Sequence, residues 1–241
     1  MDILFYTILF IIGLVIGNFL SIKANKIPKS LDMRKTYYSK YKNNELISKM
    51  TYIFIGGVTS VILANILDIH IEDIDLFNII IYIFAMIFVS ILVLIAGIDR
   101  VYTKIEKRTL GFGIISSIIY MIYLCAIDLT SIYLSLIYLA IYMVLLIIDT
   151  FLLRRYAKDS YIVNIFMLFT IILAFTDLRT LIYTVTMAFI AIIIYILMQK
   201  SQKKISRNKE LKLNQIPVGY FVAVSNIIVL FMIRVFESYI I

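Results

Sequence analysis

The chain has 241 residues, 63% of them hydrophobic, and a net charge of +8 from 23 lysines and arginines against 15 acidic residues. So large an apolar share, with a mean hydropathy of +1.01, excludes an ordinary water-soluble domain. The single cysteine, Cys125, excludes an internal disulfide and a cysteine-based zinc site.

In chain order, eight apolar stretches stand out, at roughly 3–22, 51–67, 76–98, 110–127, 129–153, 160–176, 180–199 and 217–240. Each is about the 17–25 residues that a helix needs to cross the hydrocarbon core, so the sequence predicts an all-α polytopic membrane protein of eight transmembrane helices. The first stretch starts at residue 3 without a basic leader or a small-residue cleavage site, and reads as a retained helix rather than a removed signal peptide. Only a turn at Asp128 separates the fourth from the fifth.

The connections then set the orientation. The first carries eight basic residues between Lys23 and Lys49, and the third carries Arg100, Lys104, Lys107 and Arg108. The fifth carries Arg154, Arg155 and Lys158, and the seventh carries six between Lys200 and Lys212. Arg179 and Arg234 alone lie elsewhere, while the second connection is acidic, with Asp68, Glu72, Asp73 and Asp75. Basic loops stay in the cytoplasm, which puts both termini outside. The same pattern explains the positive charge through anionic membrane lipid, with no nucleic-acid partner. On this reading residues 1–241 form one membrane domain, 23–50 a short basic cytoplasmic loop and 200–216 a basic cytoplasmic linker.

Against this background two carboxylates are conspicuous. Asp99 ends the third stretch and Asp159 begins the sixth, on the same side of the membrane. Ionisable groups at membrane depth are costly unless they have a partner or a task. Two carboxylates a few ångströms apart share one proton. The ionised one can then take a proton from water while the other polarises a carbonyl, chemistry that needs no cofactor, no metal and no histidine. The only histidine, His70, falls on the outer side. Other roles stay open: Asp159 before Ser160 fits a helix N-cap, Asp99 has Arg100, Lys104 and Lys107 nearby, and Asp149 is a rival able to pair with Asp99 or Arg154.

Four segments resemble the type IV prepilin peptidases, intramembrane aspartyl proteases of the GxGD class. Gly13-Leu14-Val15-Ile16-Gly17-Asn18-Phe19-Leu20-Ser21-Ile22, with Lys26-Ile27-Pro28 after it, resembles the family's opening helix and Arg-x-Pro step. Ile98-Asp99-Arg100 with Lys104-Ile105-Glu106-Lys107 resembles the first catalytic segment. Tyr156-Ala157-Lys158-Asp159 occupies the place of the Gly-x-Gly-Asp segment, and Gln215-Ile216-Pro217-Val218-Gly219-Tyr220-Phe221 resembles the approach to the last helix. The resemblance implies catalysis by Asp99 and Asp159 at the cytoplasmic face of a bacterial plasma membrane. Its substrates would be pilin-like precursors, which lose a short leader. Tyr156 and Lys158 replace the motif glycines, Tyr161 stands where the family has lysine, Glu106 where it has proline, and the 23–50 loop has no cysteine. That loop belongs to the part associated with N-methylation, so methyltransferase activity does not carry over. Lys158, a cation beside Asp159, favours its ionised form, making Asp159 the base and Asp99 the acid.

Tyrosines and phenylalanines within the stretches read as lipid contacts and interfacial anchors. Gly56-Gly57 and Gly111-Phe112-Gly113 read as points of close helix approach. No ATP or haem motif is present, and the sequence is silent on oligomeric state. Two other functions compete: a catalytically impaired homologue serving as an assembly scaffold, and a small transporter subunit, for which intramembrane polar residues are few, Asn164 and Asn226 being scattered and Asp149 nearer the cytoplasmic face.

Overall fold

A computed structural model describes residues 2–26, 45–69, 75–127, 132–153, 160–205 and 216–240. Among these, regular structure is entirely helical: α1 (Asp2–Lys26), α2 (Glu45–Ile66), α3 (Leu76–Tyr102), α4 (Lys107–Ile127), α5 (Ile132–Ile147), α6 (Ser160–Phe175), α7 (Leu178–Ile205) and α8 (Val218–Ile240). A π-helical segment, Ile148–Leu153, continues α5. Each apolar stretch of the sequence has one α-helix on it, and the described part of the 129–153 stretch is shared between α5 and the π-helical segment.

The helices overrun the apolar stretches at their charged ends. α1 runs on to Lys26, α2 starts back at Glu45, and α7 continues through Lys203 and Lys204 to Ile205. Lysine, glutamate and glutamine are good helix formers, so loss of hydropathy marks where a helix leaves lipid, not where it ends. Part of the 23–50 loop and of the 200–216 linker is therefore helical.

Among the described residues five helices are long and apolar enough to cross a membrane, over Ile3–Ala24, Lys49–Ile66, Leu76–Tyr102, Lys107–Ile127 and Leu178–Met198. Solvation of the side chains is inverted relative to a soluble protein. Phe189, Ile190, Ile194, Leu197 and Met198 of α7 are exposed, whereas Ser60, Asp99, Ser117, Thr184 and Asn226 are fully buried. Exposed apolar faces with polar groups turned inward are what a lipid solvent selects. The described chain is a helical membrane protein.

Two compact units divide the chain, Met1–Ser90 and Ile91–Ile241. In the first, α1 and α2 touch backbone to backbone. A Cβ on Gly56 would lie on the Gly13 carbonyl oxygen and 2.8 Å from the Gly17 Cα, and a Cβ on Gly13 would strike Gly56 in return. Ser60 Oγ adds a bond to the Leu9 carbonyl at 2.6 Å and another with the Tyr82 hydroxyl at 2.6 Å.

In the second unit, Tyr142, Leu146 and Ala174 form a buried cluster against Ile114, Ile118 and Met121, and Tyr142 hydrogen-bonds to Ser117. Asp177 caps α7, its Oδ1 accepting the Thr180 N–H at 2.8 Å. Partial burial pushes the Asp177 carboxyl upward, but hydrogen bonds from Thr180 and the Arg179 charge outweigh it and hold the group below its usual range. A depressed carboxyl stabilises the fold above its unfolded value and loses that contribution as pH falls through the folded one. Asp177→Ala is therefore expected to cost about 1 kcal/mol at neutral pH, and the difference from the parent should vanish in strong acid, as read by denaturation in detergent.

Candidate active site

Asp99 lies in the last turn of α3, which ends three residues later because Thr103 turns to φ 50°. That conformation is strained for a β-branched residue. The Thr103 N–H still reaches the Asp99 carbonyl at 2.8 Å, so the strained turn is fastened to the aspartate's own backbone. The chain then returns through Lys104–Glu106 into α4, where the Thr109 hydroxyl bonds to the Glu106 carboxylate at 2.8 Å.

The Asp99 side chain is fully buried, and its hydrogen bonds come from two distant parts of the chain. The Tyr161 hydroxyl, in the first turn of α6, donates to Oδ1 at 2.9 Å and lies 2.8 Å from Oδ2. The Tyr220 N–H, in the first turn of α8, donates to Oδ2 at 2.9 Å. The neighbouring Gly219 N–H donates to the Tyr161 oxygen at 3.3 Å. The first N–H groups of a helix have no partner within it, and here the Asp99 and Tyr161 side chains supply them from outside, with a negative group at the positive end of α8.

Gly219 is what permits this approach. A Cβ there would lie 2.8 Å from Ile105 Cδ1 and 3.1 Å from Asp99 Oδ2. Asn164, one turn beyond Tyr161 on the same face of α6, donates to the Ile105 carbonyl at 3.1 Å. It thereby holds the α3–α4 return against α6. The Arg100 guanidinium lies 5.7 Å from the centre of the Tyr220 ring, a cation–π contact. Asp99 thus takes hydroxyl and amide donors, and its neighbour Arg100 takes a ring.

Asp159 lies outside the described residues, as do Tyr156, Ala157, Lys158 and Arg154. Asp159 is two positions before Tyr161 in the sequence. The rival carboxylate, Asp149, is buried in the π-helical segment and is bound by the Thr170 hydroxyl at 2.5 Å. Its described partner is therefore on α6. Among the described residues no three His, Cys, Asp or Glu side chains come together as a metal-holding group.

Tyr161 is the residue whose part the sequence concealed. It stood out only as a departure from a family pattern, and the signal available was its place in the turn that follows Asp159. Tyr220 contributes a backbone N–H, which has no sequence signature. Compared with models of known protein families, with curated proteins and with solved structures, the chain matches none.

Proposed function

We propose that the chain is an aspartyl endopeptidase of a bacterial cytoplasmic membrane, related to the type IV prepilin peptidases. It would cross the bilayer eight times as a single membrane domain with both termini outside. Pilin-like precursors would be its substrates, cut at the cytoplasmic face just before their hydrophobic segment.

The observation that carries this reading is the convergence at Asp99 of two of the four segments that bear the resemblance, together with the first turn of the helix that follows the third. The segment around Asp99, the start of the helix that follows Asp159, and the Ile216–Tyr220 approach to the last helix meet through bonds spanning 62 and 121 positions. A structural carboxylate needs no such ordered set. In the proposed reaction Asp159 draws a proton from water, the hydroxide attacks the scissile carbonyl, and Asp99 donates a proton to it. The tetrahedral intermediate then collapses as Asp159 gives the proton it took from water to the amide nitrogen, which leaves, and a hydroxyl proton returns to Asp99.

A second reading has a specific observation behind it. Asp99 is wholly covered and already bound by Tyr161 and Tyr220, as expected of a carboxylate that merely ties α3, α6 and α8 together in an inactive assembly protein.

Co-expression with a pilin-like precursor separates the two. The peptidase reading expects leader removal by the parent, lost in Asp99→Asn and in Asp159→Asn and retained in Asp149→Asn. An inserted, stable parent that leaves the precursor whole supports the assembly protein. Cleavage that survives Asp159→Asn but not Asp149→Asn identifies Asp149 as the second carboxylate.

A further inference from the structure

An aspartate that shares a proton with water must touch that water, yet Asp99 has 0% of its surface exposed. What covers the carboxylate is specific. The Tyr161 oxygen lies 2.9 and 2.8 Å from its two oxygens, so it sits astride the carboxylate instead of at one end. That position, between the two oxygens, is where a lytic water or a partner carboxyl would bind. The hydroxyl is fixed there from behind by the Gly219 N–H, while the Tyr220 N–H holds Oδ2. Absence of a side chain at Gly219 lets the start of α8 close to this distance.

We propose that Tyr161 is a latch on the active site: its hydroxyl occupies the water position on Asp99 at rest, and hydrolysis requires that it swing off the carboxylate. The inference rests on the peptidase reading and concerns how that site is regulated. Tyr161 is placed for the task. It belongs to the first turn of α6, so rotation about its Cα–Cβ bond or loosening of one turn uncovers Asp99 while Asn164 keeps its bond to the Ile105 carbonyl. Gly219, whose N–H holds the hydroxyl, and Asp99 and Tyr161 all belong to one unit of the chain. A substrate segment that engages this turn therefore opens the site, and an unoccupied site stays shut against water.

The labelling that tests the latch needs no knowledge of the natural precursor. Dicyclohexylcarbodiimide, a hydrophobic reagent for carboxyl groups, is applied to the full-length protein in membranes, and its adduct at residue 99 is measured by mass spectrometry. Asp99→Asn supplies the background. A buried hydrogen bond contributes about 1 kcal/mol net, and its loss is expected to raise the open fraction up to about tenfold. Tyr161→Phe removes the hydroxyl and keeps the ring. Gly219→Ala loosens the same closure from the α8 side, which guards against a Tyr161 variant that fails to insert.

Labelling of Asp99 that rises up to about tenfold in Tyr161→Phe and also rises in Gly219→Ala, with faster precursor cleavage in Tyr161→Phe, supports the latch. Increased labelling of both, with no cleavage by parent or variant, keeps the latch and overturns the peptidase reading. Labelling that stays at the parent's level in both variants overturns the latch, whatever cleavage does. Cleavage by the parent that is lost in Tyr161→Phe also overturns it, because the hydroxyl would then be required.

Discussion

Asp99→Asn is expected to abolish precursor cleavage while leaving the protein folded, and Asp99→Ala to abolish both. The difference follows from hydrogen-bond inventory. An asparagine oxygen can still accept the Tyr220 N–H, and its amide can donate to the Tyr161 oxygen, so the convergence of α3, α6 and α8 survives at a cost of about 1 kcal/mol. Alanine takes away the carboxylate that the part-buried Tyr161 hydroxyl and Tyr220 N–H share. Each unsatisfied donor costs roughly 1–3 kcal/mol, so the alanine variant should lose about 2–6 kcal/mol in all. The activity lost in asparagine is that of a proton-transferring group, roughly 10²–10⁴-fold. Cleavage by gel shift and thermal denaturation in detergent, run side by side on both variants, separate the two effects. A purely structural aspartate would instead show asparagine close to the parent in every property.

Gly56→Ala should damage the first unit, and Gly111→Ala should not. A methyl at Gly56 meets backbone, the Gly13 oxygen and the Gly17 Cα and N, which cannot rotate out of the way. The two helices must move apart, and the bonds of Ser60 to Leu9 and Tyr82 stretch with them. Overpacking of this kind costs roughly 1–3 kcal/mol, and contact with backbone puts it at the upper end. Alanine's better helix propensity returns up to about 1 kcal/mol of that, for a net loss of about 2 kcal/mol. At Gly111 an added Cβ finds nothing within 4 Å, so the propensity gain is uncompensated and stability should stay level or rise. Denaturant titration of both variants, with protease sensitivity of the α1–α2 region, reads the contrast.

The eight helices were legible because each is a run of lipid-compatible side chains, and hydropathy reports that directly. Their ends were not, since Lys203 and Lys204 favour helix as well as water. The π-helical stretch after α5 was invisible, because Ile148–Leu153 has the same composition as the helix it continues. At the site, Asp99 was legible as a carboxylate at the end of an apolar run, and the approach to the last helix was legible around Pro217 and Gly219. Who would donate to Asp99 was not. The nearby charges Arg100, Lys104 and Lys107 left an ion pair open as one alternative, and the donors are a phenol 62 positions away and a backbone amide 121 positions away. Only the folded chain brings such groups together. Gly56 was read as a point of close approach, but its partners, Gly13 and Gly17, emerged only from the packing.

The central claim is that Asp99 and Asp159 share one site. It is tested most directly by cross-linking Asp99→Cys to Asp159→Cys in a Cys125→Ser background, by copper-catalysed oxidation in native membranes. A disulfide requires Cα atoms within about 7 Å, so its formation measures the approach of the two positions. Rapid formation of the 99–159 disulfide, identified by mass spectrometry and faster than that of an Asp149→Cys/Asp99→Cys control, is the expected result. No 99–159 cross-link in membranes where the double variant keeps the parent's protease resistance and both cysteines alkylate after denaturation would contradict the shared site, and the buried Asp99 would then stand as a structural tie between α3, α6 and α8.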